Sequence, residues 1–494
     1  MRLSTAQRDR AAGVLLGTAA GDALGAGYEF GPPLPADAPV AMAGGGPFGW
    51  AVGEWTDDTS MAIAIARVAA DGLDLRTDRA QDRIAAAWAA WARDARDVGT
   101  QTGAVLRAGS GNGPVTAATL RAAALAVHRQ TGRSGGNGSL MRTAPVALAY
   151  LDDEAGLVGV ARAISELTHH DPEAGEACVL WCLAIRHAVL TGELDVRVGL
   201  STLAVDRREL WSARIEEAEG NQPAFFEQNG WVVHAFQGAW SAITRTPVPA
   251  DGGGTFRAEH LQRALAAAVR GGRDTDTVAA IAGGLLGAAW GASAVPAQWR
   301  RILHGWPGLR AQDSIALADR ISSGTEPIDH TYPWVEKPLV VPHPADPGLL
   351  IGNARALDDL PDEVDVVVSL CRVRPGWVPE HVEHLEVRLV DKPEPAENPH
   401  LGFVLHDTVE LLRQLRAEQL TVFLHCVAGH NRTPTVAALY GARAAGMTPR
   451  QALDAVFYAL PDAQRNGTFV PLIEQWPTDL SNGAGVHRTV RSSR

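Results

Sequence analysis

Cysteine is scarce. The 494-residue chain has four, Cys178, Cys182, Cys371 and Cys426, too scattered for a disulfide framework. Cys178 and Cys182 stand four apart in an apolar, helix-like run and read as core residues. No C-x-x-C pair or His-rich spacing points to zinc. An excess of positive charge is also missing: 44 Lys and Arg against 56 Asp and Glu leave a net charge of −12. That balance argues against broad contact with a nucleic-acid backbone and leaves a modified nucleic-acid end as the compatible exception. Met1–Arg10 is polar and charged, and the apolar stretch after it contains Asp22 and several glycines. It reads as neither a signal peptide nor a membrane span. The expectation is a cytoplasmic protein with no membrane partner.

What is present suits two cores: 46% of residues are hydrophobic, and the length predicts two or three domains. From Gln7 to about Gly324 the pattern is helical, with Ala-rich amphipathic runs at Arg79–Arg93, Val115–Arg129, Glu154–Leu167, Glu173–Leu190 and Ala258–Val269. Gly324–Pro347 holds six prolines and no helical period, and reads as a connection into a second domain. After it, β-branched runs at Leu349–Ile351, Val364–Leu370, His384–Leu389 and Thr421–His425 alternate with helical Leu401–Glu418 and Thr433–Ala445. The expected architecture is multidomain: an all-α helical domain over 1–325, a linker over 326–341, an α/β domain with a central, mostly parallel sheet over 342–480, and a frayed tail over 481–494.

Two helix starts concentrate acid: Thr56, Asp57, Asp58 and Thr59, then Asp274, Asp276 and Thr277. N-capping explains one acid at a helix start. Closely spaced carboxylates, twice, repel one another unless a cation sits between them, and oxygen donors without His or Cys suit Mg²⁺ or Mn²⁺. Both readings stand at this level. The helix after Asp276 is built of small residues, Ala279, Ala280, Ala282, Gly283, Gly284, Gly287, Ala288 and Ala289, which predicts close packing at the domain centre.

Four segments carry a family resemblance: GVLLGTAAGDALGAGYEF at Gly13–Phe30, GEWTDDTSMA at Gly53–Ala62, GNGSLMRTAPVAL at Gly136–Leu148 and DTDTVAAIAGGLLGA at Asp274–Ala288, with THHDPEA at Thr168–Ala174 a looser fifth. The first domain resembles the ADP-ribosylglycohydrolase family, the type that reactivates ADP-ribosylated dinitrogenase reductase. The resemblance implies two Mg²⁺ or Mn²⁺ ions held by Thr56, Asp57, Asp58, Asp274, Asp276 and Thr277, with Thr275 not a ligand. It implies an ADP-ribosylated protein or an ADP-ribose-containing small molecule as substrate. Hydrolysis of the ribosyl bond builds oxocarbenium character, and Asp57, Asp58 or Glu29 can take a proton from water. Glu29 lies in the family's Tyr-Glu-Phe-like segment. Gly136, Asn137, Gly138 and Ser139 resemble the loop that seats the diphosphate, with Met141 and Arg142 beside it, and His169 resembles a pocket histidine.

In TVFLHCVAGHNRTPTVAALYGARAAG a buried strand ends at His425, a tight loop runs from Cys426 through Gly429 to Arg432, and a helix opens at Thr433. Strand, loop and helix aim backbone amides at one anion; the same field favours a thiolate, and an Arg grips phosphate with two parallel bonds. With PGLLIGNARAL at Pro347–Leu357 and VDVVVSL at Val364–Leu370, the region resembles the dual-specificity and protein-tyrosine-phosphatase-like superfamily. The resemblance implies Cys426 as nucleophile of a phosphocysteine intermediate, Arg432 holding the phosphoryl oxygens, and Thr433 assisting the leaving thiolate. It implies a phosphorylated substrate and no cofactor for this domain. Asp391 stands where the general acid would, with Glu394 and Glu397 as rivals, since the Trp-Pro-Asp loop is absent.

These features together predict a bifunctional hydrolase: metal-dependent removal of ADP-ribose and cysteine-dependent hydrolysis of a phosphate monoester. The alternative is a single-activity glycohydrolase whose C-terminal domain recognises phosphate.

Overall fold

The computed structural model describes residues 2–111, 113–323, 330–465, 467 and 469–474. The tail expected over 481–494 and residues 324–329 around the expected linker lie outside the described residues.

The first part is helical, and its centre is set by glycine. Helix α1 (Thr5–Gly25) starts with a capping box at Ser4 and Gln7. Every fourth residue from Gly13 to Gly25 is glycine, which aligns them on one face. A Cβ at Gly13, Gly17 or Gly21 would lie 2.2, 2.2 and 2.0 Å from the carbonyl oxygens of Gly287, Gly283 and Ala279. So α1 packs backbone to backbone against the small-residue helix, which spans Thr275–Trp290. Between them in sequence, α2 (Asp57–Ala70) packs on α1, and the Thr275–Trp290 helix is α3. The hydroxyl of Thr275 donates to the Gly25 carbonyl at 2.9 Å, locking the ends of α1 and α3 together. Pro172–Thr191 is apolar and long enough to cross a membrane, but 78% of its most apolar window is buried in the fold. It is a core helix, and Cys178 and Cys182 are buried on it as the sequence suggested.

The second part has a five-stranded sheet: β1 (Val340–His343), β2 (Asp346–Asn353), β3 (Val366–Ser369), β4 (Glu383–Glu386) and β5 (Val422–Cys426). The order is β1-β2-β5-β3-β4, parallel except for the β1–β2 pair, so the sheet is mixed. The antiparallel edge strand β1 was not anticipated. It begins inside the segment expected to be linker, because proline is tolerated at an edge and hides the β pattern. Helices α4 (Leu401–Ala417) and α5 (Arg432–Ala444) pack together and against the sheet. Alternation sorts the strands: Leu349, Ile351, Val366, Val368, Val422 and Leu424 join the helix-covered core, while Leu350, Val367 and Phe423 form a second cluster with Trp377 and Val382.

The helix-covered core continues without a break into the core of the helical part. Charged groups rim that junction. Arg301 pairs with Glu383 at 2.7 Å and with Glu418 at 2.8 Å; Arg300 donates to the Glu386 carbonyl at 2.8 Å; and Asp407 accepts the Ala297 amide at 2.8 Å.

Candidate active sites

The first site lies where α1, α2 and α3 meet. Asp22 of α1 accepts the backbone N–H groups of Thr56 and Thr59, each at 2.9 Å. It therefore caps α2 from outside, and Thr56 makes no side-chain cap of its own. The Thr56 hydroxyl turns to Asp58 instead, at 3.1 Å. One oxygen each from Asp22, Asp58 and Asp276 lies within 4.8 Å of the others, and so do oxygens from Glu29, Asp274 and Asp276. Asp276 belongs to both groups. Thr277 hydrogen-bonds Asp58 and Asp274. Asp57 falls outside both groups; it feels the charge of Asp97 and accepts a bond from the Gly99 backbone.

Burial pushes these acids up, and repulsion from neighbouring carboxylates adds to it at Glu29, Asp58 and Asp276. Asp58 and Asp276 stand well above the usual carboxylate range, Glu29 rises to about 9, and Asp22 rises to about 6. In each case burial is the largest cause. Three buried oxygens, Glu29 Oε2, Asp58 Oδ1 and Asp276 Oδ1, have no hydrogen-bond partner. Orphaned buried carboxylate oxygens in so dense an acid cluster are costly unless a cation satisfies them, so this donor set fits hard divalent ions.

The glycine loop borders the cluster. Asn137 Nδ2 donates to Asp274 at 2.7 Å and to the Asn229 carbonyl at 2.8 Å. A Cβ on Gly136 or Gly138 would lie 3.1 Å from the ring of His169, so the two glycines admit that ring beneath the loop. His169 is buried, its Nδ1 is 2.7 Å from Thr168 Oγ1, and burial beside Arg142 holds it neutral, well below the ordinary histidine value. The structure places Arg142 and Met141 beneath the surface. Both are buried, and the Arg142 guanidinium stacks 4.1 Å over Trp88 and bonds Thr168. These contacts tie Arg142 to α2's neighbour Trp88 and to Thr168, which precedes His169. Ser139 is likewise buried, against Cys178.

Sequence reading missed Asp22, Asp97 and Asn229. Asp22 is hidden in an apolar helix. Asp97, which burial and Asp274 raise to about 6, lies in a polar stretch with Asp94 and two arginines, where nothing marks it out. Asn229 takes the Asp274 amide on its Oδ1 at 3.2 Å from a segment distant in sequence. The one available signal was the Gly21-Asp22 pair, a lone acid in the apolar run that follows Arg10 in α1.

The second site lies at the end of β5. Gly429 has φ +76°, and a Cβ there would lie 3.1 Å from the Gly352 carbonyl oxygen, so the turn needs glycine. Cys426 is buried at the loop start. Arg432 Nη1 donates to the carbonyls of Leu370 at 2.7 Å and Leu389 at 3.0 Å, which fixes the guanidinium. Its Nε has no hydrogen-bond partner and stands 3.6 Å from Asp391 Oδ2. Asp391 Oδ1 accepts from Asn431 Nδ2 at 2.9 Å, so the sequence-predicted acid does meet the loop. Glu397 is bonded to Thr5 and paired with Lys392 at 3.5 Å; Glu394 has its backbone in a turn with Glu397 and Asn398. Thr433 is buried, and its hydroxyl donates to the Gly352 carbonyl at 3.2 Å.

Behind the loop, Ser369 Oγ lies 2.7 Å from His425 Nε2 and 2.9 Å from His384 Nε2, and His425 Nδ1 is 3.2 Å from the Cys426 carbonyl oxygen. One assignment uses each proton once: His425 Nδ1–H donates to that carbonyl, Ser369 donates to His425, and His384 donates to Ser369. Both rings are neutral, since burial lowers His425 to about 3 and His384 to about 4.

Comparisons with known proteins divide along the same line. The ADP-ribosylglycohydrolase family model matches residues 3–329. The ADP-ribosylarginine hydrolase Tri1 of Pseudomonas putida (strain GB-1) is 29% identical over 295 residues, 59% of this chain and 73% of that protein. The ADP-ribosyl-[dinitrogen reductase] glycohydrolase of Rhodospirillum rubrum is 29% identical over 304 residues, 59% of this chain and 89% of that protein. Human dual specificity protein phosphatase 15 is 25% identical over 151 residues, 30% of this chain and 50% of its own length.

Proposed function

Since the chain belongs to the ADP-ribosylglycohydrolase family and is a hydrolase of ADP-ribosyl linkages, we propose that it has two activities, release of ADP-ribose at a dinuclear metal centre and hydrolysis of a phosphate monoester at Cys426. The observation that carries the first is the trio of buried, unpartnered oxygens on Glu29, Asp58 and Asp276. Asp22, Asp58 and Asp276 would hold one ion and Glu29, Asp274 and Asp276 the other, with Thr56 and Thr277 completing the donor set. Mg²⁺ or Mn²⁺ bound there supplies charge neutralisation, a hold on ribose hydroxyls and a lowered pKa for water.

The chain's own groups do the rest. The Gly136–Ser139 loop offers backbone amides to the diphosphate, and neutral His169 props the loop without adding charge. Asp57 and Asp97 are close enough to repel each other beside the acid cluster, where one of them takes the proton from the attacking water. The names of the two bacterial relatives make an ADP-ribosylated arginine side chain of a protein the first substrate to assay. Release of ADP-ribose that stops in EDTA and returns with Mg²⁺ or Mn²⁺ supports the reading; undiminished release after complete metal removal overturns it.

In the second activity the Cys426 sulfur attacks phosphorus, an S–P bond forms, and the ester P–O bond breaks. Asp391 gives its proton to the departing oxygen. Water then attacks phosphorus, Asp391 recovers the proton, and inorganic phosphate and the thiolate are released. Arg432 and the loop amides stabilise the phosphoryl oxygens throughout. A reducing, cytoplasmic location fits a reaction that needs a free thiol. Undiminished hydrolysis of para-nitrophenyl phosphate by Cys426→Ser would remove the nucleophile from this scheme.

A further inference from the structure

We infer that the cavity at Arg432 and Asp391, next to the buried Cys426, is a composite site, walled in part by the helical domain, and that it takes a small phosphate monoester of sugar-phosphate size rather than a phosphorylated side chain of a protein; the inference rests on the phosphatase reading above. Arg432 and Asp391 line a cavity of about 330 Å³. That is the low end of the range for small-molecule sites. Part of its wall comes from outside the α/β fold: Thr5, Arg8 and Asp9 from the first turns of α1, and Tyr332 from the connecting segment.

This wall is fastened to the loop that carries the proposed acid. Asp9 pairs with Arg388 at 3.4 Å and also accepts the Ser293 hydroxyl. Thr5 bonds Glu397, at the far end of the same loop. The Tyr332 hydroxyl donates to the carbonyl of Arg372, whose guanidinium pairs with Asp319 of the helical part at 3.0 Å. The apolar core beneath is continuous between the two parts. A fixed wall of this kind is not easily displaced by a substrate.

The consequence is steric. A phosphorylated protein side chain arrives on an extended backbone, which needs open surface on both sides of the pocket mouth. Here the start of α1 and Tyr332 occupy surface that such a backbone would use. A compact molecule needs only the cavity. Arg8 adds a cation to the wall, which suits a substrate whose oxygens extend beyond the phosphoryl group.

The test uses the full chain. Turnover is compared for para-nitrophenyl phosphate, ribose 5-phosphate, and phosphotyrosine and phosphothreonine peptides. The expected result is a kcat/KM for ribose 5-phosphate roughly tenfold or more above that for either peptide. Tyr332→Ala and Arg8→Ala should each raise the peptide-to-sugar ratio of kcat/KM by about tenfold, with circular dichroism checking the fold. Wild-type protein that cleaves the peptides as well as the sugar phosphate, with para-nitrophenyl phosphate also cleaved, overturns this inference and leaves the phosphatase reading standing. Failure to cleave any of the four substrates overturns the phosphatase reading and this inference with it.

Discussion

Gly17 and Gly283 meet backbone to backbone: a Cβ on Gly17 would lie 2.2 Å from the Gly283 carbonyl oxygen, and one on Gly283 would lie 2.0 Å from that of Gly17. The contact matters because Asp22 follows Gly17 by little more than one turn and Asp276 precedes Gly283 by two. Any separation of α1 from α3 opens the acid cluster. Gly283→Ala should therefore cost more than ordinary overpacking, which is roughly 1–3 kcal/mol, since no side chain can rotate away. Urea unfolding measures the loss, and Mn²⁺ titration calorimetry should register weaker binding. An unchanged midpoint with unchanged Mn²⁺ affinity would mean the helices can part without moving the site.

Asp276 is shared by both carboxylate groups, so its loss has two opposite effects. Burial and the charges of Asp58, Glu29 and Asp274 raise its pKa, so its ionised form destabilises the metal-free fold. Asp276→Asn should melt at a higher temperature than wild type in EDTA at pH 8. It should also lose the metal-induced rise in Tm, which at a hundredfold excess over Kd corresponds to about 3 kcal/mol, and release no ADP-ribose. Thermal scans with and without Mg²⁺ separate these effects. A variant stabilised by Mg²⁺ as strongly as wild type would exclude Asp276 as a ligand.

The Ser369 relay predicts an acid limb of stability. His384 is lowered by burial from the ordinary histidine value of 6.5 to about 4. Below 6.5 the unfolded chain takes up a proton that the folded chain refuses, so stability falls as pH drops from 6.5 to 4 and levels off below that. The contribution is about 3 kcal/mol over the window. His384→Gln keeps an N–H to offer Ser369 and removes the titration. Its unfolding free energy should fall less steeply than that of wild type between pH 6.5 and 4, and parallel slopes would mean that His384 charges freely in the fold.

Much of this was legible in the sequence because the physics is local. The helical periods, the β-branched runs and the loop from Cys426 to Arg432 involve neighbours in the chain, and the structure places them within a few residues of the expected limits. The paired acids at Asp58 and Asp276 were legible because no single helix cap needs so many carboxylates. What was hidden is non-local. Asp22 caps a helix 34 residues away, and nothing in α1 announces its target. The burial of Arg142 was hidden too, since its partners Trp88 and Thr168 come from distant segments. β1 was hidden by prolines that an edge strand accepts. The fastening of Thr5, Asp9 and Tyr332 onto the phosphatase-like loop depends on how the two parts dock, which no local pattern encodes.

Asp391 offers the sharpest separation of chemistry from binding. Its Oδ1 is held by Asn431 at 2.9 Å and its Oδ2 is 3.6 Å from Arg432 Nε, so it stands at the loop that would hold the phosphoryl group. A general acid matters most when the leaving oxygen is strongly basic. Asp391→Asn should lower kcat for an alkyl phosphate by about a hundredfold or more. The loss should be much smaller for para-nitrophenyl phosphate, whose leaving group departs without a proton. Vanadate affinity should change little, because the grip on the oxyanion belongs to Arg432 and the loop amides. If alkyl phosphate turnover is unchanged, the proton comes from elsewhere. Glu397 is the weaker rival, since Thr5 and Lys392 already engage its carboxylate. Unchanged turnover in Asp391→Asn followed by a loss in Glu394→Gln would therefore move the role to Glu394.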